Sequence, residues 1–259
     1  MKITVLGCGS STGVPAIGCD CKVCKSDDPK NKRLRSSILI EDEGVSVLID
    51  STRDLRQQAI KNSITNLDGV IYTHAHFDHV FGLDDLRAYN FLQNAVMDIY
   101  ADANTLDDLA LRFNHVFDSP TKERPWSKPR LKANEIKYNN EFNIKDLSFM
   151  PFKQTHGKGF STGIRAGDFV YSTDTNHLSD ECFDIIAGVK VWIIDCLGYS
   201  DFPSHANLDI ALSWIDRIKP ELAVLTHMSH EIDYDDLKAR LPDNIVPAYD
   251  GAVYSLSSQ

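Results

Sequence analysis

The densest chemistry in this chain lies in one run, Thr73-His74-Ala75-His76-Phe77-Asp78-His79. Four side chains able to ligate a metal fall within six positions, directly after the apolar stretch 69–72. Crowded imidazoles and a carboxylate are costly to desolvate. A divalent cation turns that cost into bonding, because neutral imidazole and carboxylate are its natural ligands. Residues two apart in extended backbone project the same way, so His74 and His76 can grip one ion. Asp78 and His79 follow where the chain turns toward a helix expected near Gly82, and they project to a neighbouring point. A catalytic zinc keeps about three protein ligands and an open position, so four ligands from one segment predict two adjacent ions. Two ions roughly 3.5–4 Å apart can hold a bridging hydroxide and clamp both sides of a reacting centre.

Such a site needs ligands from elsewhere. His156 follows the strand expected over 147–149, Asp174 ends the β run 170–173, and His227 ends the run 224–226. Singly, a strand-end His or Asp is more often a hydrogen-bonded turn residue. The repeated placement after apolar strands is the signal, because loops at one end of a sheet sandwich converge on one site. His74, His76 and His156 with a bridging Asp174 would complete one ion, and Asp78, His79, Asp174 and His227 the other. His205 precedes a helix; it suits a general acid for a leaving oxygen, and its spacing fits a helix-flanking surface histidine equally well.

A second metal signal is Cys19, Cys21 and Cys24. Three thiols this close do not make a disulfide framework, and thiolates at this density suit tetrahedral zinc, with His230 as the candidate fourth ligand. That site would tie the N-terminal loop to the loop carrying His227 and brace the ligand shell from behind. Cys8, Cys182 and Cys196 are isolated and read as buried thiols. His115 reads as structural, and His177 as a bland neighbour of the Asp174 loop. Lys25, Lys30, Lys32, Arg33 and Arg35 form a basic run, either a solvated face or a device steering a phosphate toward the ions.

The elements that must position these residues can be read from apolar periodicity. Strands are expected over 2–6, 37–40, 45–49, 69–72, 97–100, 147–149, 169–171, 191–194, 222–225 and 252–256. Helices are expected over 54–61, 84–93, 104–117 and 207–218, and a hairpin turn over 41–44. Early strands arrive in hairpins, so two mixed sheets with helices outside fit better than an all-parallel sheet. The stretch 118–132, with Pro120, Pro125 and Pro129, reads as a surface loop or lid. With 259 residues, 42% of them hydrophobic, and no linker or repeat, residues 1–259 read as one domain. The net charge of −10 argues against a non-specific grip on nucleic acid. No apolar run approaches the length of a membrane span, the first residues do not read as a signal peptide, and free thiols suit a reducing cytoplasm.

The Thr-His-Ala-His-Phe-Asp-His run, with His156, Asp174 and His227, resembles the metallo-β-lactamase superfamily over essentially the whole chain. The resemblance implies an α/β fold, a four-layer αβ/βα sandwich of two mixed sheets with flanking helices and a metal site at one edge. Gly13-Val14-Pro15, the three cysteines, His205 and Thr226-His227-Met228-Ser229-His230 further resemble a subgroup that includes the phosphodiesterase of the carbon–phosphorus lyase pathway. Cys8 departs from the small residue or threonine expected there. The subgroup likeness implies a structural zinc on Cys19, Cys21, Cys24 and His230, and His205 as an acid near the leaving group. It also implies His74, His76 and His156 on one ion, Asp78, His79 and His227 on the other, and Asp174 between them, with Asp78 counted in the catalytic machinery. The expected activity is a dinuclear phosphodiesterase using two Zn²⁺ or Mn²⁺ ions on a small or cyclic phosphodiester, with no long nucleic acid and no membrane as partner, and with a homodimer allowed. The alternatives are thioester or lactam hydrolysis, tRNA 3′-end processing, which needs a basic arm not seen in this sequence, and a metal-braced binding module.

Overall fold

The computed structural model describes residues 1–117 and 128–256. Its strands form two seven-stranded sheets. The first runs β14 (Val253–Ser255), β1 (Lys2–Gly7), β2 (Ser37–Asp42), β3 (Val45–Ile49), β4 (Gly69–Ile71), β5 (Met97–Ala101), β6 (Leu131–Glu135). The second runs β13 (Ile245–Pro247), β12 (Leu222–Thr226), β11 (Val191–Asp195), β10 (Phe169–Ser172), β9 (Gly159–Ala166), β8 (Leu147–His156), β7 (Phe142–Ile144). Both sheets are mixed, as the hairpin pattern predicts. β1, β2 and β3 pair antiparallel before β3 to β6 run parallel. β7 to β10 pair antiparallel before β10 to β13 run parallel. The expected turn between β2 and β3 is a two-residue loop, with Glu43 and Gly44 both left-handed (φ 46° and 86°), which matches strand twist in tight hairpins.

Side-chain alternation assigns the layers. Ile38, Ile40, Val47, Ile49 and Ile71 face the core shared by the two sheets, together with Phe149, Phe152 and Ile164. The intervening Leu39, Leu48 and Val70 join Leu86, Tyr89 and Leu109 in a second core, under the helices Arg87–Gln93 and Ala103–Arg112. Both faces of these strands are buried, which is why they read as continuous apolar runs. Helices Asp180–Ile186 and Leu208–Ile218 bury Phe183, Ile186, Ala211 and Ile215 into the large core from the other side. The result is the two-sheet sandwich with flanking helices.

Parallel strands end at one edge, and the chemical residues collect there. Asp50 follows β3, Thr73 and His74 follow β4, Asp174 follows β10, Asp195 ends β11 and His227 follows β12. His156 ends β8 on the same side, and the Thr162 N–H donates to the Thr73 carbonyl at 2.8 Å, joining the two sheets beside the site.

Several elements differ from the periodicity reading. β8 extends to His156 instead of stopping at 149 because Met150–His156 pair with β9; β7 pairs only with Leu147–Phe149, so Pro151 sits on an edge on that side. The strand β9 and the helix Asp180–Ile186 went unread. The helix expected near Gly82 is present, as the 3-10 turn Leu83–Leu86 followed by the helix Arg87–Gln93, but a further short helix, Phe77–Val80, begins within the histidine run itself and is too short to show a period. The helix over 104–117 is two helices broken at Phe113, Ala103–Arg112 and Asn114–Phe117. Of the loop or lid expected over 118–132, residues 118–127 lie outside the described residues, while Leu131 and Lys132 belong to β6. No helix of the described residues is long and apolar enough to cross a membrane.

Gly82 pins the short helix to the end of β3: its N–H donates to the Ser51 carbonyl at 2.8 Å. A Cβ on Gly82 would overlap the Thr52 carbonyl oxygen and lie 2.9 Å from the Leu55 Cβ. Gly82→Ala is therefore expected to cost about 1–3 kcal/mol by overpacking. A urea midpoint equal to that of the unsubstituted protein would refute this steric account.

Candidate metal centre

Asp174 stands at the middle of the site, 2% exposed, on left-handed backbone (φ 51°). Its Oδ1 lies 3.2 Å from His79 Nε2 and 3.4 Å from His227 Nε2. Its Oδ2 lies 3.7 Å from His74 Nε2 and 3.8 Å from His156 Nε2. Each oxygen thus faces a different set of imidazoles. Asp78 Oδ2 joins the first set, 3.3 Å from His79 Nε2 and 3.7 Å from His227 Nε2. His76 joins the second, with Nδ1 3.2 Å from His156 Nε2. The potential ligand atoms of His74, His76, His156 and Asp174 all lie within 4.8 Å of one another, as do those of Asp78, His79, Asp174 and His227. The structure brings together every active-site ligand expected from the sequence, in the two groups expected.

The donor set fits divalent cations. The buried Nε2 atoms of His74, His79 and His227 have no hydrogen-bond partner. Those nitrogens face the Asp174 carboxylate at 3.7, 3.2 and 3.4 Å without a hydrogen bond to it, which is the arrangement a cation between them completes. Behind the ring, the other nitrogen of several histidines is fixed. His79 Nδ1 donates to Asp50 Oδ2 at 2.7 Å, and His156 Nδ1 donates to the Ser204 carbonyl at 2.7 Å. A donated Nδ1–H leaves Nε2 as the lone-pair nitrogen facing the site. Asp50 also accepts from the Thr73 N–H at 2.8 Å and the Thr73 hydroxyl at 2.8 Å, locking the start of the histidine run.

Charges in the site are strongly shifted. Burial pushes His74, His76 and His156 below the ordinary histidine range, which keeps them neutral and able to ligate. Burial alone would raise Asp174 and Asp78. His227 and His79 outweigh it for Asp174, and His79 with His227 for Asp78, so both carboxyls titrate below the usual range. His79 is driven up: its burial opposes charge, but Asp174, Asp78 and Asp50 dominate. The carboxylates demand positive charge at this point.

His205 lies at the rim of the same constellation, with Nε2 4.0 Å from Asp174 Oδ2, and its Nδ1 donates to Asp195 Oδ2 at 3.0 Å. Burial lowers its tendency to protonate, but the Asp195 carboxylate overrides this and raises it to about 9. Asp195 thus orients the His205 ring and favours its protonated form, and the residue is not a surface histidine. A cavity of about 820 Å³ opens over His74, His76, Asp78, His156, Asp174, His205 and His227, and Arg112, Tyr138, Lys153 and Phe160 also line it.

Asp50 and Asp195 were missed in the sequence. Both follow or end β-branched runs, 45–49 and 191–194, the same placement that marks Asp174. The lining residues Arg112, Tyr138 and Lys153 carry no sequence signal. His115, itself exposed, pairs with Asp84 at 2.9 Å, His177 is also exposed, and neither lines the cavity. Cys8, Cys182 and Cys196 are buried, and the Cys8 N–H and thiol both point to Asp250 Oδ1 at 3.1 and 3.5 Å.

The cysteine cluster also assembles. Cys19 and Cys21 Sγ lie 3.7 and 3.5 Å from His230 Nδ1. Thiolate and imidazole on one tetrahedral zinc sit about 3.6 Å apart, given bonds of about 2.3 and 2.0–2.1 Å. The Cys24 N–H donates to Cys21 Sγ at 3.4 Å and the Ala16 N–H to Cys24 Sγ at 3.4 Å. The Cys24 N–H is the main cause of the Cys21 thiol falling to about 6, whereas burial raises Cys24 to about 11. One reading of the basic run is corrected: Arg33 is only 2% exposed, and Arg35 pairs with Asp54 at 3.0 Å, so neither belongs to a solvated face nor lines the cavity. The chain folds both inward against backbone carbonyls, of Ser229 for Arg33 and of Ser11 for Arg35.

Two substitutions separate the roles. Asp174→Ala is expected to abolish binding at both of its ligand groups, read by metal analysis of the purified protein; an equivalent retained beyond the one on the cysteine cluster would refute a shared carboxylate. Asp50→Ala is expected to weaken metal affinity about 10–100-fold while leaving every ligand in place. Unchanged affinity would show that the Asp50–His79 bond does not tune the site.

Residues 46–228 match the family model described as the beta-lactamase superfamily domain. The chain is 37% identical, over 97% of its length, to a Porphyromonas gingivalis protein named as an octanoyltransferase, and spans about half (51%) of that protein. It is 33% identical to coenzyme PQQ synthesis protein B of Rhodopseudomonas palustris, covering 98% of this chain and 74% of that one. A solved structure of a diphosphatase from the PhnP family superposes with a TM-score of 0.92 at 32% identity, over 99% of this chain and 98% of that one.

Proposed function

The chain belongs to the metallo-β-lactamase superfamily, whose fold implies divalent metal binding, and from that premise we propose a metal-dependent phosphodiesterase acting on a small or cyclic phosphodiester. His74, His76 and His156 would hold one ion, Asp78, His79 and His227 the other, and Asp174 would serve both. When bound, two divalent ions at this spot neutralise phosphoryl charge and supply a nucleophile acidified from water. The observation that carries the reading is the Asp195–His205 pair, an imidazole oriented by a buried carboxylate at the rim of the ligand shell and open to the cavity. An alkoxide is a poor leaving group and needs a proton as the P–O bond breaks. His205 Nε2–H can deliver it, while Asp195 fixes the ring through Nδ1 and stabilises the charged form beforehand. The similarity to a diphosphatase supports phosphorus chemistry, and the net charge of −10 favours a small substrate over a long nucleic acid. Cys19, Cys21, Cys24 and His230 would hold a zinc that braces the His227 loop.

A second reading, hydrolysis of an acyl thioester, is favoured by the relative named as an octanoyltransferase. A thiolate, with a pKa near about 8.5, leaves without an acid, so that reading leaves His205 without a task.

The test is hydrolysis of bis(p-nitrophenyl) phosphate, of a ribose cyclic phosphate and of an octanoyl thioester, with and without added Mn²⁺ or Zn²⁺. Metal-dependent cleavage of the diesters is expected. His205→Gln is expected to keep its metal and to lower turnover of the cyclic phosphate by about 10²–10⁴, with a much smaller effect on the p-nitrophenyl ester, whose leaving group needs no acid. Cleavage of the thioester alone by metal-loaded protein would overturn the phosphodiesterase reading.

A further inference from the structure

Arg33 is a buried cation with no carboxylate within ion-pair distance among the described residues. Its Nη1 donates to the Ser229 carbonyl at 3.0 Å, and its Nη2 to the Ile232 carbonyl at 2.8 Å and to Asn31 Oδ1 at 3.1 Å. Its Nε finds no acceptor. Burying a guanidinium against neutral acceptors is expensive, and what it secures here is a bracket across the turn 229–232.

That turn follows His227 directly. His227 has left-handed backbone (φ 59°), which a non-glycine residue holds only when its surroundings impose it. The surroundings are visible. The Met228 N–H donates to the Cys8 carbonyl at 2.8 Å, and the Ser229 N–H to the Leu197 carbonyl at 2.8 Å. Those bonds hold the turn from the sheet side, and Arg33 holds it from the opposite end through two carbonyls. Gly9 lies between the two layers, bridging both Arg35 and Met228, and a Cβ there would come within 2.9 Å of Arg33 Cβ. His79, by contrast, is oriented through its own ring by Asp50. His227 Nδ1 has no hydrogen bond, and Asp195 Oδ1 stands 3.8 Å away. Its aim therefore depends on its backbone.

We infer that Arg33 is a positioning residue for the second ion, its guanidinium clamping the turn 229–232 so that His227 presents Nε2 to Asp174 and Asp78. The inference rests on the two-ion reading of the site. Titration of the metal-free protein with Co²⁺ tests it, because thiolate-bound cobalt at the cysteine set absorbs differently from cobalt on imidazole and carboxylate. Arg33→Gln is expected to keep the first active-site equivalent and to weaken the second about tenfold or more, and the thiolate–cobalt signal, whose ligand His230 lies inside the clamped turn, is expected to weaken with it. Arg33→Lys keeps the charge but loses the planar fork, and is expected to fall between; it carries the test alone if Arg33→Gln does not fold. A second equivalent of wild-type affinity in either variant, or loss of all three equivalents together, overturns the inference. Unsubstituted protein that takes up cobalt only at the thiolates overturns the two-ion reading with it.

Discussion

A carboxylate buried at the seam of two sheets sets the terms for the rest of this molecule. Asp174 turns one oxygen toward His79 and His227 and the other toward His74 and His156. A single residue can face both sets because it stands on left-handed backbone just past a parallel strand, where the carboxyl is lifted out of the sheet register. Buried negative charge must be compensated, and the imidazoles around it are neutral or protonated according to how many carboxylates each one meets. His74, which meets one, is driven neutral by burial, while His79, which meets three, is driven toward its cation.

The layer behind the ligands does as much as the ligands themselves. Asp50 and the Ser204 carbonyl each take one Nδ1–H, and so decide which nitrogen faces the site. Asp195 does the same for His205, with a different outcome. His205 has imidazole neighbours too, His156 and His227 with ring centroids 4.8 and 4.7 Å away, and against them the Asp195 carboxylate raises it to about 9. A carboxylate stands behind both His79 and His205, so what separates them is the front of the ring: His79 Nε2 faces Asp174 and Asp78 at 3.2 and 3.3 Å, whereas His205 Nε2 lies 4.0 Å from Asp174.

The loop 226–232 links the two metal-ligand clusters. His227 reaches the active centre and His230, three residues on, reaches Cys19 and Cys21. Between them the backbone is gripped by Cys8, Leu197 and Arg33 from three directions. A short loop under that many constraints behaves as a rigid part, so the cysteine cluster and the catalytic edge share one framework.

Much of this was legible in the residues alone. The crowding of His74, His76, Asp78 and His79 signals metal by local spacing, and the strand-end placement of His156, Asp174 and His227 survives in the apolar runs before them, because both signals are set by backbone periodicity over a few residues. The mixed character of the sheets followed from the early hairpins. The sequence could not reveal what depends on contacts between distant segments. Asp50 and Asp195 looked like ordinary strand-end acids until the fold placed histidines against them. His205 fitted a surface site and an acid equally until Asp195 lay beneath it, and Arg33 read as part of a charged face until the chain folded it inward onto carbonyls almost two hundred residues away. The candidate ligand set was therefore a property of the sequence. Which nitrogen faces the metal, which histidine keeps its proton and which cation is structural were decided by the tertiary structure, because burial and neighbouring charge exist only once the two sheets meet.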